Sequence, residues 1–328
     1  MHRLLSSLSS ICLVAAMCVD DPVAQEPVAK ESVAQNAAIR ATLTAARPII
    51  AAGSPIELRL LLHVEADTRL PNVLVNGVDL SVNVGDKPGP HIAEPGEGEP
   101  VLVRAGTRIE RRLSFPSDRL VPNPDPSGVT DVVIAWTGLP GANCALKIAP
   151  DSSKVDIASL DLAKTKVVLV TNYGEMTLSL RPDKAPKHVE NFLKLCKSGF
   201  YNGTKFHRVL RDFMIQGGDP NTKNDDKAET WGSGGPGWSV DAEFNDVRHL
   251  RGTLSMAREA NPNSAGSQFF IVHKDSPHLD SKYTAFGNVE KGMDALDRIA
   301  NVEVTGPEQS VPVKPVVLLS AIILPVKK

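Results

Sequence analysis

One stretch of this sequence gathers residues that could bind and polarise a small ligand. Residues 206–219 read FHRVLRDFMIQGGD, and polar and apolar residues alternate at the start of this run. That alternation is the period of a half-buried strand. A strand here presents an apolar patch beside a guanidinium and an amide, supplied by Phe213, Met214, Arg208 and Gln216. Ligand pockets combine apolar walls with few orienting polar groups, so this stretch predicts a small binding pocket.

A second stretch, Gly232–Gly237, reads GSGGPG and fits the G-x-G-x-x-G pattern of dinucleotide-binding loops. That pattern binds a pyrophosphate when it follows a buried strand and opens a helix. Here Pro236 interrupts the run, and the extended segment Trp238–Val240 follows it. We interpret the stretch as a flexible loop that borders the pocket, and we expect no cofactor.

The elements that must position the pocket follow residue 164. Lys166–Thr171 and Met176–Leu180 flank the turn-like stretch Asn172–Glu175 and predict a β-hairpin. A helix is predicted to begin near Pro186, with Asp183 as the candidate cap, and to end before Gly199. Its apolar face consists of Val189, Phe192, Leu193 and Cys196. Further predicted elements are strands at Gly252–Ala257, Ser267–Val272 and Val313–Leu324, and a helix that contains Met293, Leu296 and Ile299.

These blocks resemble, in order and spacing, the cyclophilin family of peptidyl-prolyl cis–trans isomerases. The resemblance is carried by FHRV at 206–209, FMIQGGD at 213–219, GSQFFI at 266–271, and Leu279-Asp280 followed by Phe286-Gly287. It extends from about residue 164 to residue 328. It implies a closed eight-stranded antiparallel barrel with two helices covering its ends and an active groove on its outer face. It also implies proline-containing peptides or proteins as substrates.

The resemblance assigns the site residue by residue. It places the catalytic arginine at Arg208 and its amide partner at Gln216. The substrate-binding positions are Phe213, Met214, Ala257, Arg258, Gln268, Phe270, His278, Leu279 and Tyr283. Three of them depart from the pattern of many eukaryotic members, because His278 replaces a tryptophan, Tyr283 a histidine and Arg258 an asparagine. These changes predict an altered substrate preference and poor binding of cyclosporin.

Rotation about an X–Pro bond suits such a set of residues, because no bond is made or broken and neither a nucleophile nor a metal is required. The barrier of about 18–20 kcal/mol comes from amide resonance. Arg208 could donate hydrogen bonds to the rotating carbonyl and to the prolyl nitrogen, which becomes basic as resonance is lost. Gln216 would orient Arg208 or a backbone group. A rate gain of about 10⁵ requires about 7 kcal/mol, which apolar grip and one charged donor can supply.

The N-terminus has the pattern of an export signal. A short basic start precedes Leu4–Met17, an apolar and Ser-rich run that is too short for an ordinary membrane span. Cys18 follows the run LVAAM and resembles the lipid-attachment site of bacterial lipoproteins, although a methionine stands where a small residue is expected. Lipid attachment at Cys18 and cleavage after a small residue such as Ala16 are the alternatives, and a cytosolic start fits the following segment less well. Lipid attachment and cleavage both predict export to the periplasm or cell envelope.

The chain between the signal and the barrel divides into three parts. Residues 19–37 repeat Pro-Val-Ala motifs and predict a flexible tether, since few large apolar side chains are present. Residues 38–150 contain about seven short β-like runs, including Val73–Val75, Ile56–Val64 and Asp131–Trp136. This predicts an antiparallel immunoglobulin-like β-sandwich. We therefore divide the chain into a signal peptide (1–18), a tether (19–37), a β-sandwich (38–150), a linker (151–163) and an isomerase domain (164–328).

The composition of the chain limits the classes of partner and ligand that it is expected to bind. The formal net charge of −2 on 328 residues gives no sign of the basic surface that nucleic-acid binding requires. Acidic and histidine residues of the sandwich lack metal-ligand spacing, so we expect no metal. Cys144 and Cys196 fall in different domains, so we expect no disulfide framework. The sequence-based hypotheses are an exported isomerase that assists folding, or a chaperone module whose sandwich selects a client or cell-envelope partner; a surface scaffold with vestigial activity fits the complete residue set less well.

Overall fold

The computed structural model describes residues 33–36, 38–122, 128–137, 139 and 141–328. The signal peptide and most of the predicted tether lie outside these residues. The N-terminal half contains eleven strands: β1 (Val33–Asn36), β2 (Ile39–Ala45), β3 (Ile49–Ala51), β4 (Pro55–Val64), β5 (Thr68–Leu70), β6 (Val78–Val84), β7 (Lys87–Glu94), β8 (Val101–Val103), β9 (Arg108–Pro116), β10 (Thr130–Trp136) and β11 (Asn143–Ala149). The described part of this half also contains two single-turn helices, α1 (Asn72–Val75) and α2 (Ser117–Leu120).

The N-terminal half is a β-sandwich. Strands β1-β2-β4-β9 form one sheet, and strands β3-β11-β10-β6-β7 form the other. Buried and exposed side chains alternate along β4, the pattern of a strand with one face in a core. Trp136, which is 1% exposed, packs in a single apolar core with residues of both sheets, such as Leu60 and Leu80. The predicted sandwich is confirmed in this layering, since each sheet buries one face against the other.

Three details of the sandwich differ from the sequence-based expectations. The prediction was an antiparallel sandwich, but β3 pairs with β11 in parallel. Val73–Val75, predicted as a strand, lies in helix α1, where the amide of Leu74 donates to Pro71 O and that of Asn76 donates to Asn72 O. Local turn bonding after the proline therefore prevails over the β-branched side chains. Strand β1 pairs with β2 in an antiparallel hairpin, so Val33–Asn36, within the segment predicted as a tether, belong to the sandwich.

The C-terminal half contains eleven further strands and two longer helices. The strands are β12 (Lys166–Thr171), β13 (Gly174–Leu180), β14 (Thr204–Lys205), β15 (Arg208–Leu210), β16 (Met214–Gly217), β17 (Thr253–Met256), β18 (Phe269–Val272), β19 (Ala285–Lys291), β20 (Val304–Thr305), β21 (Val311–Pro312) and β22 (Val317–Leu324). The helices are α3 (Pro186–Lys197) and α4 (Met293–Ala300). The strand predicted from Val313 begins at Val317, and a small ribbon of β20 and β21 precedes it.

The large sheet of this half closes into a barrel. Its strand order is β14-β22-β12-β13-β19-β17-β18-β16-β15. The first and last strands in this order, β14 and β15, are consecutive in the chain and are separated by Phe206 and His207 alone. One bent segment, residues 204–210, therefore pairs with β22 before the bend and with β16 after it. Counted as one strand, this segment gives the predicted eight-stranded barrel.

The two longer helices pack onto the barrel through apolar faces. Helix α3 buries Val189, Phe192 and Leu193 in the barrel core, as its sequence period predicts. Asp183 does not cap this helix: the N-cap is Ala185, and the Asp183 carboxylate accepts hydrogen bonds from Arg181 instead. Among the described residues, none of the helices has the length and apolar character needed to span a bilayer.

The two cysteines among the described residues lie in separate cores. Cys144 is fully buried in the sandwich, and burial raises the pKa of its thiol to about 12. Cys196 is 2% exposed within the barrel core, where burial also raises its pKa. Both side chains therefore pack as small apolar groups.

The sandwich contacts the barrel on the side opposite β18. Ile49 and Ala149 of the sandwich pack with Val168, Val170 and Ile322 of strands β12 and β22 in one apolar cluster. In the closed strand order, β12 and β18 are four strands apart in either direction around eight. The predicted linker follows this contact, and its Ser152 hydroxyl accepts a hydrogen bond from the amide of Ile323 at 2.8 Å.

Candidate active site

A groove of about 170 Å³ opens on the outer face of the barrel. It is lined by Arg208, Phe213, Met214, Gln216, Ala257, Arg258, Phe270, Leu279 and Tyr283. The two remaining predicted residues lie next to it. Gln268 accepts a hydrogen bond from Gln216, and the ring of His278 lies 5.4 Å from that of Phe213. The structure thus brings all the residues singled out from the sequence to one place.

Strand alternation separates the groove wall from the barrel core. Along β16 and β18, Ile215, Phe269 and Ile271 point into the core. Their neighbours Met214 and Phe270 point outward and form a separate apolar cluster with the buried Val272 and Leu279. The outer wall exists because apolar residues occupy both faces of these two strands, where a solvent-facing strand would alternate apolar with polar residues.

Arg208 is held at the edge of this wall by a residue that sequence reasoning missed. Its Nε and Nη2 donate to Glu308 Oε2 at 3.3 and 3.1 Å. Glu308 lies 100 residues further along the chain, in the turn that joins β20 to β21. The one sequence signal at this position is an acid directly after the turn pair Gly306-Pro307, which does not indicate its partner.

The partner of Gln216 also differs from the expectation. Gln216 lies opposite Arg208 in the β15–β16 pairing, but its Nε2 donates to Gln268 Oε1 at 3.0 Å. Gln268 in turn donates to the carbonyls of Gly232 and Gly234 at 2.8 and 2.9 Å. Gln216 therefore belongs to a chain of amides that fixes the border of the groove, while Glu308 orients Arg208.

The turn that presents Phe213 depends on His273. The amide of Asp212, at a φ of 60°, donates to His273 Nδ1 at 3.1 Å. Nε2 of the same ring lies 3.1 Å from Asp297 Oδ1, so the network assigns the ring proton to Nε2. The backbone of His273 also donates to Phe213 O at 2.8 Å. One histidine thus holds two successive residues of the turn that positions the Phe213 ring.

A buried network supports Phe270 from behind. His249 stacks on the Phe270 ring, with centroids 6.1 Å apart and planes inclined by 18°. Its Nδ1 lies 3.1 Å from Asp280 Oδ1, and its Nε2 lies 3.0 Å from Ser255 Oγ. Ser255 is fully buried, so this Ser-His-Asp arrangement cannot reach a substrate as a nucleophile. It positions a groove wall.

Arg258 closes the groove beside Tyr283. Its guanidinium lies 4.7 Å from the centre of the Tyr283 ring and donates to Lys282 O at 3.0 and 3.2 Å. Tyr283 in turn meets Phe270 edge-on at 5.6 Å. The substitution at Arg258 therefore adds a fixed positive charge to the rim.

The glycine-rich loop is held by a buried carboxylate. Asp219, which is fully buried, accepts hydrogen bonds from the amides of Gly232 and Gly234, the latter at 3.2 Å. A Cβ at Gly234 would lie 2.1 Å from Asp219 Oδ1, so a side chain cannot fit there. Gly232 and Gly234 therefore hydrogen-bond to the buried carboxylate of Asp219. In the part of the chain that the structure describes, no group of three or more His, Cys, Asp or Glu side chains could hold a metal ion.

Three histidines of the barrel half, His188, His207 and His249, are buried. Burial lowers the pKa of His188, His207 and His249 from the ordinary value of 6.5, because the imidazolium ion is poorly solvated there. Among the described residues, His188 Nε2 and His207 Nδ1 have no hydrogen-bond partner. A proton added to either nitrogen would be an unsatisfied buried donor, which favours the neutral rings.

These histidines predict an acid-sensitive fold. Since their pKa values are lower in the folded state, the unfolded state binds more protons near pH 6, and stability rises with pH there. The stabilisation is complete above the unfolded pKa of about 6.5 and is lost as the pH falls below it. Urea unfolding at a series of pH values should show this decline, with a shallower slope for His207→Asn. An unfolding free energy that stays constant from pH 7.5 to about pH 5.5 contradicts the prediction.

Comparison with known proteins gives consistent matches. The family model described as cyclophilin type peptidyl-prolyl cis-trans isomerase/CLD matches residues 166–323. A probable peptidyl-prolyl cis-trans isomerase of Brucella suis biovar 1 is 46% identical over 156 residues, which are 46% of this chain and 80% of that protein. The peptidyl-prolyl cis-trans isomerase A of Dickeya dadantii is 44% identical over 167 residues, which are 49% of this chain and 85% of the relative.

A solved structure of a cyclophilin type peptidyl-prolyl cis-trans isomerase from Cryptosporidium parvum, in the presence of the dipeptide Ala-Pro, is 34% identical. The match covers 48% of this chain and 98% of that one, with a TM-score of 0.44. The family model coincides with the barrel, and the sandwich lies outside it. Because this chain covers 80% of a relative with which it shares 46% identity, its membership is established. The chain belongs to the cyclophilin-type peptidyl-prolyl cis–trans isomerases.

Proposed function

We propose that the groove binds the prolyl ring of an X–Pro peptide and that Arg208 is its catalytic residue. The observation that carries the proposal is a guanidinium at the edge of an apolar wall made of Met214, Phe270 and Leu279. The wall holds the ring through apolar burial, and Phe213 closes one side. The polar edge then faces the amide that must rotate.

Arg208 lowers the barrier by binding the twisted amide more tightly than either planar form. As the C–N bond rotates, the amide loses resonance, the carbonyl oxygen stays an acceptor and the prolyl nitrogen gains a lone pair. A guanidinium donates several hydrogen bonds in a fixed plane and remains charged at all relevant pH values. Its contact with the nitrogen exists in the twisted form alone, which is the condition for acceleration.

We propose further that the enzyme assists the folding of proteins exported from the cytoplasm. The support is the basic start and the apolar run Leu4–Met17, which lie outside the described residues. X–Pro isomerisation takes tens to hundreds of seconds unaided and limits the folding of many chains. The proposal is therefore that the enzyme accelerates a slow step in protein folding outside the cytoplasm.

The full-length protein tests this role directly. A secreted substrate protein whose refolding is limited by a trans-to-cis X–Pro bond should refold faster with the wild type than with Arg208→Ala. Mass spectrometry of the mature protein from its host decides between cleavage after Ala16 and lipid attachment at Cys18. An uncleaved N-terminus on a cytoplasmic protein contradicts export, and equal refolding with both variants contradicts the folding role.

A second candidate function is client binding by the sandwich. It is favoured by an independent apolar core around Trp136 and by the position of the sandwich, which leaves the groove face of the barrel open. A fragment of residues 151–328 keeps the Ser152 contact with the barrel. If the sandwich selects clients, this fragment should isomerise a short peptide as the full chain does but protect an unfolded client less. Equal protection would reduce the sandwich to a spacer.

His278 predicts weak binding of cyclosporin. Its imidazole covers Phe213 at 5.4 Å but offers less apolar surface than an indole and no indole N–H. Calorimetry should give a dissociation constant above about 1 μM, equivalent to less than about 8 kcal/mol of binding free energy. His278→Trp should strengthen binding. Submicromolar binding by the wild type contradicts the prediction.

A further inference from the structure

The catalytic guanidinium is occupied in the free enzyme. Glu308 Oε2 accepts from both Nε and Nη2 of Arg208, the same donors that a rotating amide would need. The Glu308 side chain is 65% exposed and that of Arg208 is 36% exposed, so the pair lies at the open edge of the groove. Such a pair is reversible, because exposed ion pairs contribute little net free energy.

The backbone of the β20–β21 turn holds Glu308 next to Arg208. Glu308 and Gln309 adopt φ values of 60° and 50°, in the left-handed region that residues with side chains seldom adopt. The ribbon that carries them is bound to the catalytic strand, since the amide of Val209 donates to Ser310 O at 2.7 Å. Residues held in this region mark places where the surrounding structure imposes a conformation. Glu308 is therefore a fixed neighbour of Arg208.

Glu308 changes the charge at the edge of the groove. The formally charged residues that line the groove are Arg208 and Arg258, both cations, and the guanidinium of Arg258 is directed to Tyr283 and to Lys282 O. The titratable rings beside them are those of His278 and Tyr283. Without Glu308, two cations would draw acidic peptides to the groove. With Glu308 present, the edge of the groove at Arg208 also carries a carboxylate.

We propose that Glu308 is a specificity-determining residue that selects substrates with basic residues close to the proline. In the free enzyme Glu308 pairs with Arg208. When a peptide amide takes its place, the carboxylate is released beside the bound chain. A lysine or arginine of the substrate replaces the lost partner, whereas an aspartate or glutamate is repelled. This inference rests on the proposed catalytic role of Arg208.

The experiment compares three capped peptides of sequence X-Ala-Pro-Ala-X, in which X is Lys, Gln or Glu. NMR exchange measures their interconversion without a coupling protease, whose own charge preference would interfere. The enzymes are the full-length wild type, Glu308→Gln and the control Glu303→Gln. Glu303 precedes β20, is exposed and forms no ion pair among the described residues, so its variant makes the same charge change without removing the contact with Arg208.

For the wild type, we expect kcat/KM to be about three- to tenfold higher for the Lys peptide than for the Glu peptide, as expected of one partly screened charge. Glu308→Gln should reduce this ratio to about one or reverse it, and should raise kcat/KM for the Gln peptide about twofold because the competitor is weakened. Glu303→Gln should retain the wild-type ratio. At about 1 M salt, where the Debye length is about 3 Å, the wild-type preference should fall.

An unchanged Lys-to-Glu ratio in Glu308→Gln overturns the inference, even if the rate for the Gln peptide rises. A ratio that Glu303→Gln changes equally also overturns it, since overall charge would then suffice. Arg208→Ala in the same assay separates this outcome from failure of the proposed function. Full activity of Arg208→Ala refutes the catalytic role, whereas an inactive Arg208→Ala with an unchanged ratio in Glu308→Gln refutes the specificity role alone.

Discussion

Replacing Arg208 with alanine is expected to lower kcat/KM for an Ala-Pro peptide by about 100- to 1000-fold, the usual cost of losing one preorganised donor to a transition state. The apolar wall stays in place, because Met214, Phe270 and Leu279 pack with one another without Arg208. Substrate affinity should therefore change less than kcat. Protease-coupled and NMR-exchange assays both measure this effect.

Two companion variants make the Arg208 result specific. Arg208→Lys keeps the charge but loses the planar set of donors, so its activity should lie between those of the wild type and the alanine variant. Arg211→Ala removes an exposed arginine three residues away and should leave kcat/KM unchanged. If kcat/KM of Arg208→Ala falls by less than about tenfold, equivalent to about 1.4 kcal/mol of barrier, then apolar binding of the prolyl ring alone accounts for the catalysis.

Replacing Phe192 with alanine is expected to destabilise the barrel by about 3–5 kcal/mol. The ring is fully buried in helix α3 and lies 5.3 Å from the ring of Tyr201, 5.7 Å from that of Phe269 and 5.3 Å from that of Phe286. Its loss removes apolar burial and leaves a cavity among three rigid rings. The surrounding strands cannot collapse into that cavity without moving the groove.

Urea unfolding resolves the Phe192 effect because the tryptophans report on different halves. Trp136 lies in the sandwich core, whereas Trp231 and Trp238 lie in the barrel half. The barrel transition and the loss of activity should shift together, while the sandwich transition stays in place. Phe244→Ala makes the same chemical change at a side chain that is 43% exposed and should cost less than about 0.5–1 kcal/mol. Equal shifts for both variants would contradict the packing argument.

Strand alternation and family resemblance together predict the groove, and each supplies a different part. The resemblance assigns Phe270 and Leu279, whose distance from Arg208 along the sequence no local pattern can bridge. Alternation explains why Met214 faces outward while Ile215 faces the core. Alternation alone does not predict which apolar face becomes a pocket, because both faces of β16 and β18 are apolar; the resemblance selects the face that carries Met214 and Phe270.

The parts that could not be predicted depend either on a partner far along the chain or on a competing local hydrogen bond. Glu308 meets Arg208 across 100 residues, and its turn has no distinctive pattern. Val73–Val75 has strand-like composition, but the preceding proline and local backbone bonds make it a helical turn. Asp183 has the side chain of a helix cap, but its carboxylate accepts a hydrogen bond from Arg181 instead. In each case a competing partner outweighs an intrinsic preference of about 1 kcal/mol or less.

The bend between β14 and β15 has a consequence for the order of folding. The segment 204–210 completes the barrel by joining Thr204 to Leu318 on one side and Arg208 to Gln216 on the other. The pairing with Leu318 spans a long loop of chain, and such long-range contacts form slowly because loop closure costs entropy first. Arg208 directly follows this seam. We therefore expect isomerase activity to recover after most of the secondary structure during refolding, because the strand that carries Arg208 is completed only when a long-range pairing has formed.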